Sequence, residues 1–476
     1  MSTVSPIKSK AELIYCLQEI AQLEHAFMCQ YLYAAFSLKK HPDETCSATQ
    51  FEFVRRWASV TYMIARQEME HLSIANSLLT AIGGQPIYTH QNFPTLLPWY
   101  TSEVLATGQS GTERHPCALP FVLEPFSLNT VRRFACMESP KLQDVPESYR
   151  HRVETWCFEN ESKDCPCVTP AARDISPCQP RYELALPPQT VEIGTVQELY
   201  MAVREGFQNL EKQLGADVLF NGHPSGQSEI PSEYNLSLFR IDDLPTALTG
   251  IDLVTKQGEG INAPPGYESH FLHWCDMAQE YASMLEENAD FQPAKALPAN
   301  PTPRTYDSDP MLKAIADVFN HGYITLLYML TGYYTNYRPK SWNTWPFLSA
   351  ALEQTAFSPM MTMLIRPLAE LLTNLPWDNG FAGPTFDIDE TARPLLNQPD
   401  DARYQDLSFY QKQLDPIISG LEAILQQDLP PDLVPKVELI RQNMGRVKGN
   451  LDYVCNQGIF PNFNPSNNFS CPVSQG

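Results

Sequence analysis

Apolar residues recur at helical spacing in the first part of the chain. One apolar stripe predicts a helix over residues 11–38, and a second predicts a helix over residues 51–82. The second pattern ends at Gly83-Gly84, a pair that commonly stops a helix. The turn between the two patterns, at residues 41–44, is short, so we expect antiparallel neighbouring helices.

The rest of the chain alternates helical patterns with long irregular stretches and contains no strong strand signal. The predicted fold class is therefore all-α. Residues 85–194 read as an irregular connection with at most one short helix, and such a long connection is typical of an insertion or a functional segment. Further helices are predicted over 195–214, from about 245 to 285 with a break at 257–260, and over 310–335, 345–375, 405–427 and 432–456.

Three regions follow from these patterns. Residues 1–290 would form a helical bundle that carries the insertion, and residues 310–456 would form a C-terminal helical region that packs on the bundle and covers its site. Residues 457–476 would form an irregular tail. The 41 prolines of the chain support this division, because residues 11–82 contain only Pro42 while residues 91–190 contain thirteen.

Charge excludes some partners. The chain has 476 residues and a formal net charge of −22, and such a surface repels both nucleic-acid phosphates and anionic membranes. No stretch reaches the roughly 20 apolar residues of a membrane span. Residues 1–10 lack the apolar core of a signal peptide, so we expect a cytoplasmic protein. Whether the chain forms a homo-oligomer is left open.

Cysteines concentrate in the predicted insertion. In a cytoplasmic protein reduced thiols are the default. A structural zinc site and disulfide pairing are the alternatives, but the spacing lacks the usual pair of Cys-x2–4-Cys motifs. We therefore expect unpaired thiols at these six positions: Cys117, Cys136, Cys157, Cys165, Cys167 and Cys178.

Three candidate metal ligands lie on the apolar stripes of the first two helices. Glu24 lies on the stripe of the first helix, and glutamate is rarely buried unless it is paired or binds a metal. Glu68 and His71 lie together on the stripe of the second helix, because residues three apart share a helix face. This Glu-x-x-His pattern is typical of di-iron carboxylate bundles, although a structural Glu–His contact is the simpler alternative.

The matching half of such a site is less well defined. Glu198 and Glu205 share a face of the third helix, which lies opposite the apolar stripe, and we prefer Glu205 because it lies nearer the middle of the helix. A solvated glutamate face is the alternative. Around the break in the fourth helix, we predict Glu259 and His270 as ligands, since glycines on both sides of Glu259 favour a kink.

These motifs resemble the ferritin-like family that includes the iminophenyl-pyruvate dimer synthase region of violacein and related bisindole pathways. The resemblance covers about residues 10–285. It implies a four-helix bundle with a carboxylate-bridged metal site to which Glu24, Glu68, His71, Glu259 and His270 contribute. The motifs that carry it are Leu-Glu-His-Ala-Phe-Met-Cys-Gln-Tyr-Leu-Tyr-Ala (23–34), Ile-Ala-Arg-Gln-Glu-Met-Glu-His-Leu (64–72), Gln-Gly-Glu-Gly (257–260) and Glu-Ser-His-Phe (268–271).

Ligand chemistry then suggests a function. Carboxylate and imidazole suit Fe(II), and Mn(II) more weakly, so a di-iron site is expected, with a single iron or manganese as alternatives. The expected activity is an O₂-dependent oxidation of a small organic substrate, plausibly in secondary metabolism. One alternative is an enzyme that couples imines, like the dimer synthase. Another is a non-catalytic binding or scaffold protein whose Glu–His pair is structural.

Overall fold

The computed structural model describes residues 7–88, 92–95, 120–141, 143–164, 195–222, 226–227, 236–258, 260, 269–335 and 352–457. Helices make up most of these residues, and their only sheet is one two-stranded ribbon. The all-α prediction is therefore confirmed. None of the described helices combines the length and the hydropathy that a bilayer span requires.

The helices up to residue 287 build the region that holds the candidate site. They are α1 (Lys10–Ser37), α2 (Ala48–Ala81), α3 (Leu128–Met137), α4 (Glu147–Asp164), α5 (Val196–Leu214), α6 (Ala216–Leu219), α7 (Leu244–Gly258) and α8 (His270–Glu287).

Capping interactions define both ends of α2, which begins three residues before the predicted start at residue 51 and ends one residue before the predicted end. The Ser47 side chain accepts a hydrogen bond from the Gln50 backbone N–H, and the Gln50 side chain accepts one from the Ser47 N–H, which together make a capping box. At the other end Gly83 has a φ of +75°, in the left-handed region. Its N–H bonds to the Thr80 carbonyl, and the Gly84 N–H bonds to the Leu79 carbonyl, as in a Schellman motif. Helix α2 then packs along most of α1.

The predicted irregular connection contains two helices rather than at most one. Helix α3 begins after Ser127, whose side chain accepts from the Thr130 N–H, and it packs against both α8 and α4. Pro125 and Pro140 lie outside α3 on either side. The prolines therefore bound this helix instead of preventing it.

The predicted break in the fourth helix is also present. Helix α7 ends at Gly258, within the predicted break, and α8 begins at His270. Ser269 caps α8 by accepting a hydrogen bond from the Leu272 N–H. The cap fixes His270 at the first helical position, where its side chain is buried.

The C-terminal region is helical too, as the sequence predicts. It contains α9 (Pro310–Tyr334), a π-helix (Glu353–Ile365), α10 (Arg366–Leu372), α11 (Arg393–Leu396), α12 (Leu407–Leu425) and α13 (Val434–Gln457), with 3₁₀ turns at Pro303–Tyr306 and Ala402–Gln405 and strands β1 (Pro376–Trp377) and β2 (Gly380–Phe381).

Side chains tie this C-terminal region to the first two helices. The Tyr323 hydroxyl on α9 lies 3.0 Å from His25 Nε2 on α1, and the Thr80 hydroxyl on α2 donates to the Tyr334 carbonyl. Buried apolar residues form one cluster that runs from α1 to α13. The division of the chain into separate domains stays a prediction.

Candidate metal centre

Four of the predicted ligands meet in the interior. Glu24 on α1, Glu68 and His71 on α2, and His270 at the start of α8 are each at most 2% exposed. Glu68 and His71 face the same way because they are three residues apart on one helix. Among the described residues, Glu68, His71 and His270 bring one ligand atom each within 4.8 Å of the others.

The Glu68 carboxylate lies between the two histidines. Its Oε2 atom is 3.0 Å from His71 Nδ1, and its Oε1 atom is 2.9 Å from His270 Nδ1. The two imidazole rings are nearly parallel, with centroids 5.3 Å apart and an interplanar angle of 25°. One carboxylate thus presents a separate oxygen to each imidazole, which is the arrangement a bridging ligand needs.

A second carboxylate accompanies each histidine. Glu24 Oε2 lies 3.8 Å from His71 Nδ1, and Glu138 Oε1 lies 3.5 Å from His270 Nδ1. Glu138 directly follows α3 and is 3% exposed. The cluster therefore has two similar halves, Glu24 with His71 and Glu138 with His270, joined by Glu68.

Tyrosine hydroxyls hold the two outer carboxylates. Tyr200 on α5 donates to Glu24 Oε1 at 2.6 Å, and Tyr31 on α1 donates to Glu138 Oε1 at 2.6 Å. Both tyrosines are fully buried. Each hydroxyl satisfies one oxygen of its glutamate.

The outer nitrogens of the histidines face amide oxygens. His71 Nε2 lies 2.8 Å from Gln257 Oε1, and His270 Nε2 lies 3.1 Å from Gln67 Oε1. Gln257 is oriented in turn, because its Nε2 donates to a Glu70 oxygen at 3.2 Å. When the Nε2–H group donates to a carbonyl oxygen, Nδ1 remains as the atom that can bind a metal. Metal-binding histidines commonly donate such a hydrogen bond from the other ring nitrogen.

One of the two inner contacts, between Glu68 Oε1 and His270 Nδ1, fits a metal better than a hydrogen bond. Glu68 Oε1 and His270 Nδ1 are buried and close, yet neither has an aligned hydrogen-bond partner. Buried polar atoms without partners are uncommon and call for a ligand. A cavity of about 10 Å³, roughly the room for one water-sized sphere, adjoins Glu24, Glu68 and Glu138.

Burial and charge together set the pKa values in the cluster. Burial raises the pKa of Glu24 to about 7, and the Glu68 charge adds to this. Burial also opposes the ionised form of Glu68, but the charges of His270 and His71 outweigh it and hold the pKa of Glu68 below its usual range. Burial lowers the pKa of His270, yet the Glu68 and Glu138 carboxylates raise it to about 9. Burial likewise lowers the pKa of His71, but the Glu68 and Glu24 carboxylates raise it well above its usual value.

These shifts predict that metal binding is coupled to proton release. With a pKa of about 9, His270 carries its Nδ1 proton at pH 7, and a metal must displace it. We expect the apparent Mn(II) affinity to rise between pH 6 and pH 8, by about tenfold per pH unit for each proton released. Calorimetric titration in two buffers of different ionisation enthalpy measures the protons. An affinity that stays constant or falls over this range would contradict the assignment of Nδ1 as a ligand atom.

Comparison with known proteins agrees with this architecture. A family model described as ferritin-like matches residues 17–279, more than half of the chain. The chain belongs to the ferritin-like family. The resemblance noted from the helix motifs is thereby confirmed.

Two curated relatives of this ferritin-like protein carry enzyme names. It is 26% identical over 435 residues to dichlorochromopyrrolate synthase of Lentzea aerocolonigenes, a match that covers 81% of this chain and 37% of the relative. It is 27% identical over 432 residues to 2-imino-3-(indol-3-yl)propanoate dimerase of Chromobacterium violaceum, covering 84% of this chain and 35% of the relative. The chain thus spans little more than a third of the length of either relative.

A solved structure is also similar. A ferritin-like protein from Caulobacter vibrioides superimposes with a TM-score of 0.42 at 17% sequence identity. The match covers 73% of this chain and 94% of that protein.

The third helix predicted from the sequence is α5, and it does not bring Glu205 into the cluster of this ferritin-like protein. Glu205 on α5 is exposed, and Glu198 pairs with Lys141 Nζ at 2.6 Å. Both lie on the face of α5 opposite its apolar stripe. Helix α5 contributes Tyr200 instead, and Glu138 provides the carboxylate on the other side. Glu259 lies outside the described residues.

The sequence does not identify Glu138 as a candidate ligand, because Glu138 lies in the segment predicted as an irregular connection. The pattern from Leu128 to Met137 is strongly amphipathic and follows the capping residue Ser127, so the signal for a helix was present. Among the residues that the structure describes, the C-terminal region, expected to cover the site, contributes none that line the small cavity at the cluster.

The cysteines differ in part from expectation. Cys136 on α3 is disulfide-bonded, so the prediction of unpaired thiols is wrong at this position. Four cysteines elsewhere in the described chain, at positions 16, 29, 46 and 275, are free. The other five cysteines of the predicted insertion are not among the described residues, or their side chains are not: Cys117, Cys157, Cys165, Cys167 and Cys178.

Proposed function

We propose that this chain binds two iron ions in the buried cluster and uses O₂ to oxidise a small organic substrate. The observation that carries the proposal is the placement of Glu68, with one carboxylate oxygen at His71 Nδ1 and the other at His270 Nδ1. Glu24 and Glu138 provide one further carboxylate on each side.

The donor set agrees with iron. It contains three carboxylates and two imidazoles, and such ligands suit Fe(II) or Mn(II) better than metals that prefer thiolates. The pairs Glu24–His71 and Glu138–His270 would each hold one ion, and Glu68 would bridge them. Iron bound there would supply the electron transfer to O₂ that side chains alone lack.

The surrounding residues prepare the site for this chemistry. Tyr200 and Tyr31 keep the outer carboxylates in position through their hydrogen bonds, and Gln257 and Gln67 orient the imidazoles. Burial of all five ligands excludes bulk water. Since its pKa is about 7, the Glu24 carboxyl group can take up or release a proton near neutral pH.

A second candidate function is the coupling of two substrate molecules. It is favoured by the names of the two relatives, a synthase and a dimerase, which also support a role in secondary metabolism. In the oxidase, O₂ accepts electrons from the substrate, whereas a coupling reaction without net oxidation consumes no O₂.

One experiment tests the proposal. The purified protein is loaded with Fe(II) without oxygen, desalted and analysed for metal, and O₂ uptake is then recorded with candidate aromatic acids. We expect about two iron ions per chain and substrate-dependent O₂ consumption. Iron at clearly less than one ion per chain would support a scaffold protein instead. Full iron occupancy with product formed but no O₂ consumed would favour coupling.

Glu138 provides a specific prediction, because it belongs to one half of the cluster only. We expect Glu138→Ala to retain about one iron ion per chain and to lose the second, since Glu24, Glu68 and His71 remain. Metal analysis after the same anaerobic loading measures this. Glu147→Ala, which removes an exposed glutamate on α4, is the matched control and should retain both ions. Unchanged iron content in Glu138→Ala would remove Glu138 from the ligand set.

A further inference from the structure

A large, partly open cavity lies beside α1 and α2. It has a volume of about 840 Å³, and most of its lining residues belong to these two helices, α9 and the π-helix. We call it the α2 cavity, because α2 lines it from Ser59 to Asn76. Its size falls within the range of sites for small organic molecules, which is about 300–1,000 Å³.

The α2 cavity and the small cavity at the metal centre adjoin the same two helices but share no lining residue. On α2, Glu68 and His71 line the cavity at the metal centre, whereas Met69 and Leu72 line the α2 cavity. On α1, Glu24 lines the first cavity and Met28 lines the second. A substitution at a proposed metal ligand therefore changes no residue that lines the α2 cavity.

Most of the cavity lining is apolar and suited to flat rings. Four methionines contribute, and sulfur interacts favourably with aromatic rings. Aromatic side chains stand beside them, including Tyr62 and Phe386. The methionines are Met28, Met63, Met69 and Met361.

Arg66 places a cation without a counter-ion on this apolar wall. It lines the cavity from α2, its Nε atom is buried without a hydrogen-bond partner, and no carboxylate of the described residues pairs with it. The second arginine of the cavity, Arg366, differs: its Nε pairs with Glu370 Oε1 at 3.1 Å and its guanidinium lies over the Tyr62 ring. A partly buried guanidinium normally has an anionic partner.

Asn76 places an acceptor further along the same helix. Its Nδ2 group donates to the Tyr88 hydroxyl at 2.6 Å, but its buried Oδ1 atom has no partner. Ten residues separate it from Arg66, a distance of about 15 Å along a helix. The α2 cavity therefore carries two unsatisfied polar groups, a cation in its middle and an acceptor toward one end.

We propose that the α2 cavity binds an aromatic organic carboxylate. The ligand carboxylate pairs with the Arg66 guanidinium, its ring system lies among the methionines, and an N–H or O–H group at its far end donates to Asn76 Oδ1. This site is independent of the proposed iron centre.

Matched probes test the charge requirement. The metal-free protein is titrated calorimetrically with 3-(2-naphthyl)propanoate and with its neutral carboxamide. We expect the carboxylate to bind at least about tenfold more tightly, because only the carboxylate forms a charge-assisted pair with Arg66. In Arg66→Met this preference should vanish, while the affinity for the carboxamide stays within about threefold of the wild-type value.

Two further variants serve as controls. Arg366→Met removes the arginine that already has a partner and should keep the preference for the carboxylate. Glu68→Ala, which removes a proposed iron ligand, should bind both probes as the wild type does, so failure of the iron centre and failure of the cavity site are distinguishable. Equal binding of the two probes by the wild type, binding of neither, or a preference that persists in Arg66→Met would overturn the proposal.

Discussion

Glu68→Ala is expected to abolish iron binding, with less than about a tenth of an ion retained per chain. The carboxylate presents one oxygen to each histidine, so its removal takes a ligand from both halves of the cluster at once. The loss of an interior carboxylate also leaves His71 and His270 facing each other without their shared counter-charge. Metal analysis after anaerobic Fe(II) loading and desalting measures the outcome.

Glu205→Ala is the matched control for this experiment. It removes a glutamate that sequence reasoning preferred as a ligand but that is exposed on α5. The control should bind iron as the wild type does, and near-UV circular dichroism establishes that both variants are folded. If folded Glu68→Ala keeps two ions, or if Glu205→Ala loses them, the proposed ligand set is wrong.

Trp57→Ala should cost about 3–5 kcal/mol of the free energy of unfolding, as for other large aromatic deletions in cores. Trp57 on α2 is fully buried, and its ring packs against Phe126, Tyr281 and Phe291. Its Nε1–H donates to Glu280 Oε2 at 2.7 Å. Truncation therefore leaves a cavity where α2, α8 and the segment before α3 meet. Urea denaturation followed by circular dichroism measures the change.

Two variants separate the contributions to this loss. Trp57→Phe loses the Nε1–H hydrogen bond to Glu280 but keeps most of the ring packing, so it should lose clearly less stability than Trp57→Ala. Met201→Ala, at a side chain that is 41% exposed, should change stability by no more than about 0.5 kcal/mol. An unfolding midpoint for Trp57→Ala equal to that of Met201→Ala would show that the Trp57 ring contributes little.

Local rules make the first half of the candidate metal centre predictable from the sequence. Helical periodicity places Glu24 and Glu68 on apolar faces, and an i, i+3 spacing adds His71. A carboxylate on a face that must be buried implies a partner or a metal. On α5 the same rule points to the buried apolar face, not to the face that carries Glu205, as the source of residues for the cluster. The contact of Tyr200 with Glu24 comes from that buried face.

The second half depends on where distant segments pack. Glu138 ends a short helix flanked by prolines within a long connection, and nothing near it in the chain signals that α3 will lie against α8. The sequence does not predict the α2 cavity either, because the cavity forms only where α9 and the π-helix meet α1 and α2. Local helix propensity predicts the individual helices, but it does not determine which helices pack against each other.

The positions of Glu138 and His270 in the chain determine when the proposed ligand set can come together during synthesis. During synthesis α1 and α2 leave the ribosome first and bring only Glu24, Glu68 and His71 together, whereas the second half requires α3 and the much later α8. Domains generally fold as their chain is completed. A nascent chain that ends before His270 therefore lacks part of the proposed ligand set, so full loading of the proposed iron site would report that α3 and α8 have packed against α1 and α2.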